Sequence, residues 1–349
     1  MIRVLVLFGG RSSEHEISIL SASSIIAALD TARYEAIPVA IERSGRWLDP
    51  EASARLLPRE TASKCSLAKV RISHQPGCSE GFDLVFPALH GPYGEDGRLQ
   101  GLLDMAGLPY VGSGVLGSAC GMDKDVMKRL FNESGIPTLP HETVLRGEAP
   151  QSIGRIEQGP GYPAFVKPAN LGSSVGIRRV EDRESLISAL DYAHEFDTKV
   201  IVERGIDARE IECAVIGNQS PEASLPGEIV THGGFYDYET KYVTDSAELI
   251  APAELDEEQV KAVREIAVKA FRVVGCSGLA RVDFFIARDQ GPHSIVVNEV
   301  NTMPGFTSIS MFPRMWAVSG LPYQQLIERL IALALERHAA ASTLRFDVV

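Results

Sequence analysis

Cysteine is scarce in this chain, and the little there is excludes two architectures. The five cysteines (Cys65, Cys78, Cys120, Cys213 and Cys276) are odd in number, scattered, and form no C-x-x-C pair. Neither a disulfide framework nor a zinc site fits that arrangement, and a reducing, cytoplasmic setting is expected. Long apolar runs are missing as well. None approaches the roughly 20 residues needed to span a bilayer, so no membrane partner is expected. Excess positive charge is also lacking: 34 Lys and Arg face 46 Asp and Glu, a net charge of -12. Nucleic acid and anionic membrane surfaces are therefore not expected as partners, although a local basic site could still hold a phosphate. Internal repeats and low-complexity segments are absent.

What is present is ordinary globular material. The chain has 349 residues, 45% hydrophobic and 23% charged, enough for two or three domains with cores of their own. The first apolar run, residues 2–8, superficially suggests a signal sequence. It meets Gly9-Gly10-Arg11-Ser12-Ser13 with no small-x-small cleavage pattern, so it predicts a buried strand. Ser13-x-x-Glu16 has the form of a capping box and predicts a helix from there to about residue 30. A second strand at 34–41 completes the opening of a doubly wound α/β unit.

Residues 42–80 are polar, turn at Ser44-Gly45-Arg46, and predict an edge insertion without chemistry. The pattern then predicts a strand at 83–89 and helices at 98–105 and 123–134. Short strands with one helix, at 181–193, alternate from 143 to 216. Residues 231–247, rich in Gly, Tyr, Asp and Thr, read as a loop. A long amphipathic helix at 256–274 precedes two apolar strands at 279–287 and 294–300, joined by a turn, and a last helix at 322–338.

Two motifs match well-known patterns without their context. Gly112-Ser113-Gly114-Val115-Leu116-Gly117 fits the dinucleotide fingerprint, but the preceding apolar run is short and no second strand with an acidic residue follows. It reads as a small-residue turn between domains. Gly172-Ser173-Ser174-Val175-Gly176 fits the hydrolase elbow, but a strand rather than a helix follows the serine. A hairpin with free amide groups is the better description, and such a loop suits phosphates.

The chemistry gathers elsewhere. Arg281 and Asp283 sit two apart in one predicted strand, Glu299 and Asn301 two apart in the next. Spacing of two puts each pair on one face. If the strands pair, an arginine and three oxygen-bearing side chains share that face, while Val282, Phe284, Val296 and Val300 face a core. Crowded carboxylates call for a cation, and few, hard oxygen donors suit Mg²⁺ or Mn²⁺ with phosphate oxygens completing the shell. The competing reading is a structural ion-pair cluster. Lys167 ends an apolar strand beside the glycine–serine loop and Lys124 opens a helix; both fit phosphate binding. The strand ending at Glu203, followed by Glu210, could offer groups to a nucleoside.

Together Lys124, Lys167, residues 172–176, Glu203, Glu210, Arg281-Val282-Asp283 and Glu299-Val300-Asn301 resemble the ATP-grasp fold. Within it the chain is similar almost end to end to the D-alanine–D-alanine ligases. The resemblance rests on residues 8–16 (FGGRSSEHE), 90–97 (HGPYGEDG), 235–242 (FYDYETKY) and 301–312 (NTMPGFTSISMF).

The resemblance implies an N-terminal doubly wound (Rossmann-like) α/β domain, residues 1–112, and two α+β ATP-binding domains, 113–205 and 206–349. It implies ligation of two D-alanines through an acyl phosphate, with ATP as co-substrate and two Mg²⁺ or Mn²⁺ ions on Asp283, Glu299 and Asn301. Lys124, Lys167, Ser173 and Ser174 would hold phosphates, with Glu203, Glu210, Asn298 and Glu299 also on ATP and Phe165, Phe235 and Phe285 as adenine candidates. Glu14, with His90 nearby, would hold the first D-alanine. Lys241, Ser310 and Met311 would hold the second, and Tyr242 would close the site. Arg281 and the Gly305 amide would stabilise the oxyanion. A homodimer is also implied. The rivals are a ligase that takes D-lactate or D-serine second, another ATP-grasp enzyme acting on a different carboxylate, and a nucleotide-binding regulator without catalysis.

Overall fold

The structure, a computed structural model, describes residues 1–73, 75–231, 247–288 and 294–345. Among them lie three sheets. The first is parallel, with β1 (Ile2–Gly9) between β2 (Tyr34–Ile41) and β3 (Leu84–Pro87). Its strands are apolar on both faces because both faces are covered. Val4, Val6 and Phe8 point toward the helix His15–Ala28, while Leu5 and Leu7 meet Leu99 and Leu103 of the helix Arg98–Met105. The final helix, Tyr323–Ser342, returns to this sheet: Leu326, Ile327 and Leu330 share one core with β1 and with Ala214 and Leu279. The edge insertion forms as expected. Gly45 turns the chain, and residue 65 bridges Ala36 at the β2 edge.

The second sheet is antiparallel, in the order β4 (His141–Leu145), β7 (Lys199–Arg204), β5 (Ala164–Pro168), β6 (Arg178–Val180). The helices Ala149–Gln158 and Arg183–Ala193 cover one of its faces. The third follows the path β11 (Ala247–Ile250), β10 (Gly227–Thr231), β8 (Ala208–Gly217), β12 (Gly278–Ala287), β13 (Ile295–Asn301), with β9 (Glu222–Ala223) beside β8. The long helix Glu257–Val274 packs its apolar side on this sheet through Val263, Ala267, Ala270 and Phe271.

Four expectations need correction. Ser13 and Glu16 form no capping box; the first helix begins at His15 with Glu14 as its cap residue, and no side-chain cap bond is made. Residues 112–117 are not only a turn, since a helix runs over Val115–Met122. Its glycines are there for close packing: a Cβ on Gly117 would lie 2.4 Å from the Gly275 carbonyl oxygen. The helix Ala149–Gln158 also went unread, because Pro150 and Gly154 disguise it, yet proline is well tolerated in a first turn. Finally, Val297 rather than Val296 enters the core with Val282, Phe284 and Val300. A bulge is the cause. Asp283 pairs with Glu299 but Phe284 pairs with Val297, leaving Asn298 as the extra residue.

Candidate active site

That bulge shapes the site. Alternation alone would send Asn298 and Glu299 to opposite faces. With the extra residue, both line the same cavity as Arg281, Asp283 and Phe285. Across the pair Arg281 stands opposite Asn301 and Asp283 opposite Glu299, so the expected face exists. Arg281 forks onto Asp283 with two bonds of 2.6 Å and lies 3.1 Å from Glu212 on β8. Burial alone would disfavour its charge, but the two carboxylates hold it well above the ordinary arginine range.

The second sheet and the helix Lys124–Glu133 supply the cations. Lys124 donates to the Leu171 carbonyl at 2.7 Å and lies 3.3 Å from Glu299. Lys167, next to last in β5, donates to Glu203 at 2.7 Å. Both lysines line the Asp283 cavity together with Ser173, Ser174 and Glu210. The loop does join antiparallel strands, and Ser173 and Ser174 both hold left-handed backbone (φ 53° and 58°) in a tight turn closed by the Val175 amide on the Gly172 carbonyl at 3.2 Å.

Glu203 lies between two lysines. Its side chain is 1% exposed and ion-pairs with both Lys167 and Lys128. Burial opposes its charge, yet the two lysines overcome that and draw the carboxyl down to about 2. Its carboxylate holds both ammonium groups in place. Burial and the Lys167 charge press Lys128 downward although Glu203 attracts it.

A second cavity, of about 180 Å³, shares Arg281, Glu299, Gly172 and Ser173 with the first. Glu14, His90, Glu95, Asn301, Gly305, Ser310 and Met311 also line it. His90 is there as expected, but both ring nitrogens are engaged. Nδ1 faces the Met303 carbonyl at 2.8 Å and Nε2 faces Ser21 Oγ at 3.0 Å. A carbonyl only accepts, so Nδ1 carries the proton and Nε2 accepts from Ser21. His90 thus ties Met303 to the first helix and presents no free nitrogen. Ser310 precedes the helix Met311–Val318, and its hydroxyl lies 2.7 Å from Thr307 Oγ1. Phe165 shares a face of β5 with Lys167, its ring centre 5.9 Å from the ammonium. Phe235, Lys241 and Tyr242 lie outside the described residues.

Three residues of this centre went unread in the sequence. Lys128 follows Lys124 by four, a like-charge pair on one helix face that demands an acidic partner. Glu212 stands two after Glu210 on β8, the same spacing that marked Arg281 and Asp283. Glu95 lies within a turn cluster, and no local signal marks it.

Both halves of the chain match models of one family: "D-ala D-ala ligase N-terminus" over residues 3–113 and "D-ala D-ala ligase C-terminus" over residues 130–332. The chain belongs to the D-alanine–D-alanine ligase family. It is 47% identical to a D-alanine–D-alanine ligase of Solibacter usitatus over 345 residues, covering 99% of each chain. It is 46% identical to D-alanine–D-alanine ligase A of Escherichia coli, covering 99% of this chain and 98% of that one. Among solved structures it resembles the D-alanine–D-alanine ligase of Coxiella burnetii (TM-score 0.85, 39% identity, 98% and 96% of the two chains). It also resembles a D-Ala:D-Ser ligase of Enterococcus faecalis (TM-score 0.84, 38% identity, 95% and 99%). The mixed α/β fold is therefore the family's. It does not by itself distinguish the acceptor.

A larger cavity, about 770 Å³, lies at the edge insertion between Val39, Trp47, Leu67 and Val70. Its charged residues, such as Asp49 and Lys69, are exposed. Convergence of buried charge, rather than volume, marks the site. Among the described residues no helix is long and apolar enough to cross a membrane.

Proposed function

We infer that the protein joins two D-alanine molecules, using ATP, through an acyl phosphate, to give D-alanyl-D-alanine, ADP and phosphate for peptidoglycan precursors. Kinship along the whole chain supports this. The observation that carries it is the pair of joined cavities, one lined by lysines and the Ser173–Ser174 loop, the other by Glu14, Arg281, Gly305 and Ser310. We read the architecture as ATP-grasp, with a doubly wound first domain (residues 1–112) and ATP between the domains at 113–205 and 206–349. The parallel β1–β3 sheet and the two later antiparallel sheets support that division. A cytoplasmic homodimer accompanies the reading.

Phosphoryl transfer is mainly positioning and charge neutralisation. Lys124, Lys167, Ser173 and Ser174 would hold the phosphates, and Glu210 would meet the ribose. Phe285 lines this cavity and remains an adenine candidate beside Phe165. Among the described residues no group of three or more His, Cys, Asp or Glu is arranged for a metal. Asp283, Glu299 and Asn301, two carboxylates and an amide side by side, instead fit Mg²⁺ or Mn²⁺ ligated mostly by phosphate. Two such ions would supply charge neutralisation of the triphosphate.

Glu14 would pair with the first ammonium while that substrate's carboxylate attacks the γ-phosphorus. The second amine then attacks the acyl carbonyl, and Arg281 and the Gly305 amide would stabilise the oxyanion. Ser310, at a helix N-terminus, suits the second carboxylate. Lys241 and Tyr242 are assigned to the same grip and to exclusion of water, which an acyl phosphate requires.

Purified protein with ATP and Mg²⁺ should release phosphate when D-alanine is added and form the dipeptide. D-Serine or D-lactate outcompeting D-alanine as acceptor would overturn the assignment of the second substrate.

A further inference from the structure

Glu95 is 91% buried, on the 9% exposure of its residue, and sits on the wall of the Glu14 cavity. Its Oε1 accepts from the Gly91 amide at 2.7 Å. Its Oε2 is buried and meets no hydrogen-bond partner among the described residues. A buried carboxylate oxygen left without a donor is costly, so such a group points to something that arrives.

The geometry of Gly91 shows which neighbour shares that arrival. While its amide holds Glu95, a side chain placed on its α-carbon would come within 3.0 Å of Glu14 Oε2. Gly91 therefore separates two carboxylates that border one cavity. Burial, and after it the Glu14 charge, push the Glu95 carboxyl up to about 8, against the Gly91 amide and the Lys124 charge.

We propose that Glu95 is a substrate-binding residue, its Oε2 accepting a second hydrogen bond from the α-ammonium of the first D-alanine, so that Glu14 and Glu95 clamp that group from two sides. An ammonium has three N–H donors and one charge, and it suits a site lined by two acids better than it suits one acid alone. The clamp would favour an α-amino acid over a hydroxy acid at the activated position, because only the amino acid brings a cation. This inference rests on the ligase reading.

The test is Glu95→Gln, which keeps the shape and the acceptor for Gly91 but removes the charge. The KM of the first D-alanine should rise about ten- to hundredfold, the range for a lost charge-assisted hydrogen bond. The KM of ATP and the half-saturating Mg²⁺ concentration should stay unchanged, and unchanged nucleotide binding also shows that the variant folds. Preference for D-alanine over D-lactate as the activated acid should narrow in parallel. An unchanged KM for the first D-alanine overturns the proposal. So does an effect on ATP or Mg²⁺ in place of D-alanine, since it would put Glu95 with the phosphates. Wild-type protein run alongside separates the two readings. If it shows no D-alanine-dependent phosphate release, the ligase reading fails and takes this inference with it; a normal wild type with an unaffected E95Q removes this inference alone.

Discussion

Replacing Glu203 by glutamine should do more damage than any exposed charge change in this chain. Glu203 is buried between Lys128 and Lys167, and both ammonium groups depend on it. Its carboxyl falls from the ordinary 4.5 to about 2. At about 1.4 kcal/mol for each tenfold change in proton affinity, that gap is worth roughly 3 kcal/mol. A separate argument gives the same size. Removing one member of a buried ion pair costs about 3–5 kcal/mol, because the remaining charge is stranded.

Urea denaturation of wild type and E203Q at pH 7 should show a difference in that range. ATP should also bind more weakly, since Lys167 loses its anchor. The sign with pH follows from the lowered carboxyl. The stabilisation is complete above pH 4.5 and fades as pH falls toward 2, so the two proteins should converge over that window. If E203Q is as stable as wild type at pH 7, the triad contributes nothing and the reasoning fails.

Asp283→Asn and Glu299→Gln should each abolish D-alanine-dependent phosphate release, Asp283→Asn also lowering the melting temperature because it takes a partner from buried Arg281; retained turnover would remove both from the metal assignment. Gly117→Ala tests close packing against helix propensity. Propensity alone favours alanine by about 1 kcal/mol, whereas the 2.4 Å approach to the Gly275 carbonyl predicts a net loss of about 1–3 kcal/mol in a thermal melt. Burial pushes the thiols of Cys213 and Cys276 up to about 12, so iodoacetamide at pH 8 should label them only after denaturation. Rapid labelling of Cys213 in the folded protein would contradict its burial.

Much of the third sheet was legible because its chemistry obeys period two. Arg281, Asp283, Glu299 and Asn301 could be put on one face from spacing alone. Asn298 could not, since a bulge adds one residue without any local signature, and the same shift exchanged Val296 for Val297 in the core. Lys167 was readable from the apolar run before it, but Glu203 was not. Its ion pairs depend on Lys128, which approaches from another element. The helix Val115–Met122 stayed hidden because glycines that serve packing look, in sequence, like glycines that serve turns. Glu95 shows the remaining limit. A carboxylate in a turn gains its meaning from Glu14, some eighty residues away in the chain.

The path of one oxygen atom tests the central claim most directly. D-Alanine carrying ¹⁸O in its carboxylate is incubated with the protein, ATP and Mg²⁺, and the released phosphate is analysed by mass. If the carboxylate attacks the γ-phosphorus and the amine then displaces phosphate from the acyl carbon, one ¹⁸O must leave with each phosphate as dipeptide accumulates. Unlabelled phosphate beside labelled dipeptide would rule out the acyl phosphate, and label-free phosphate with no dipeptide would rule out the ligase.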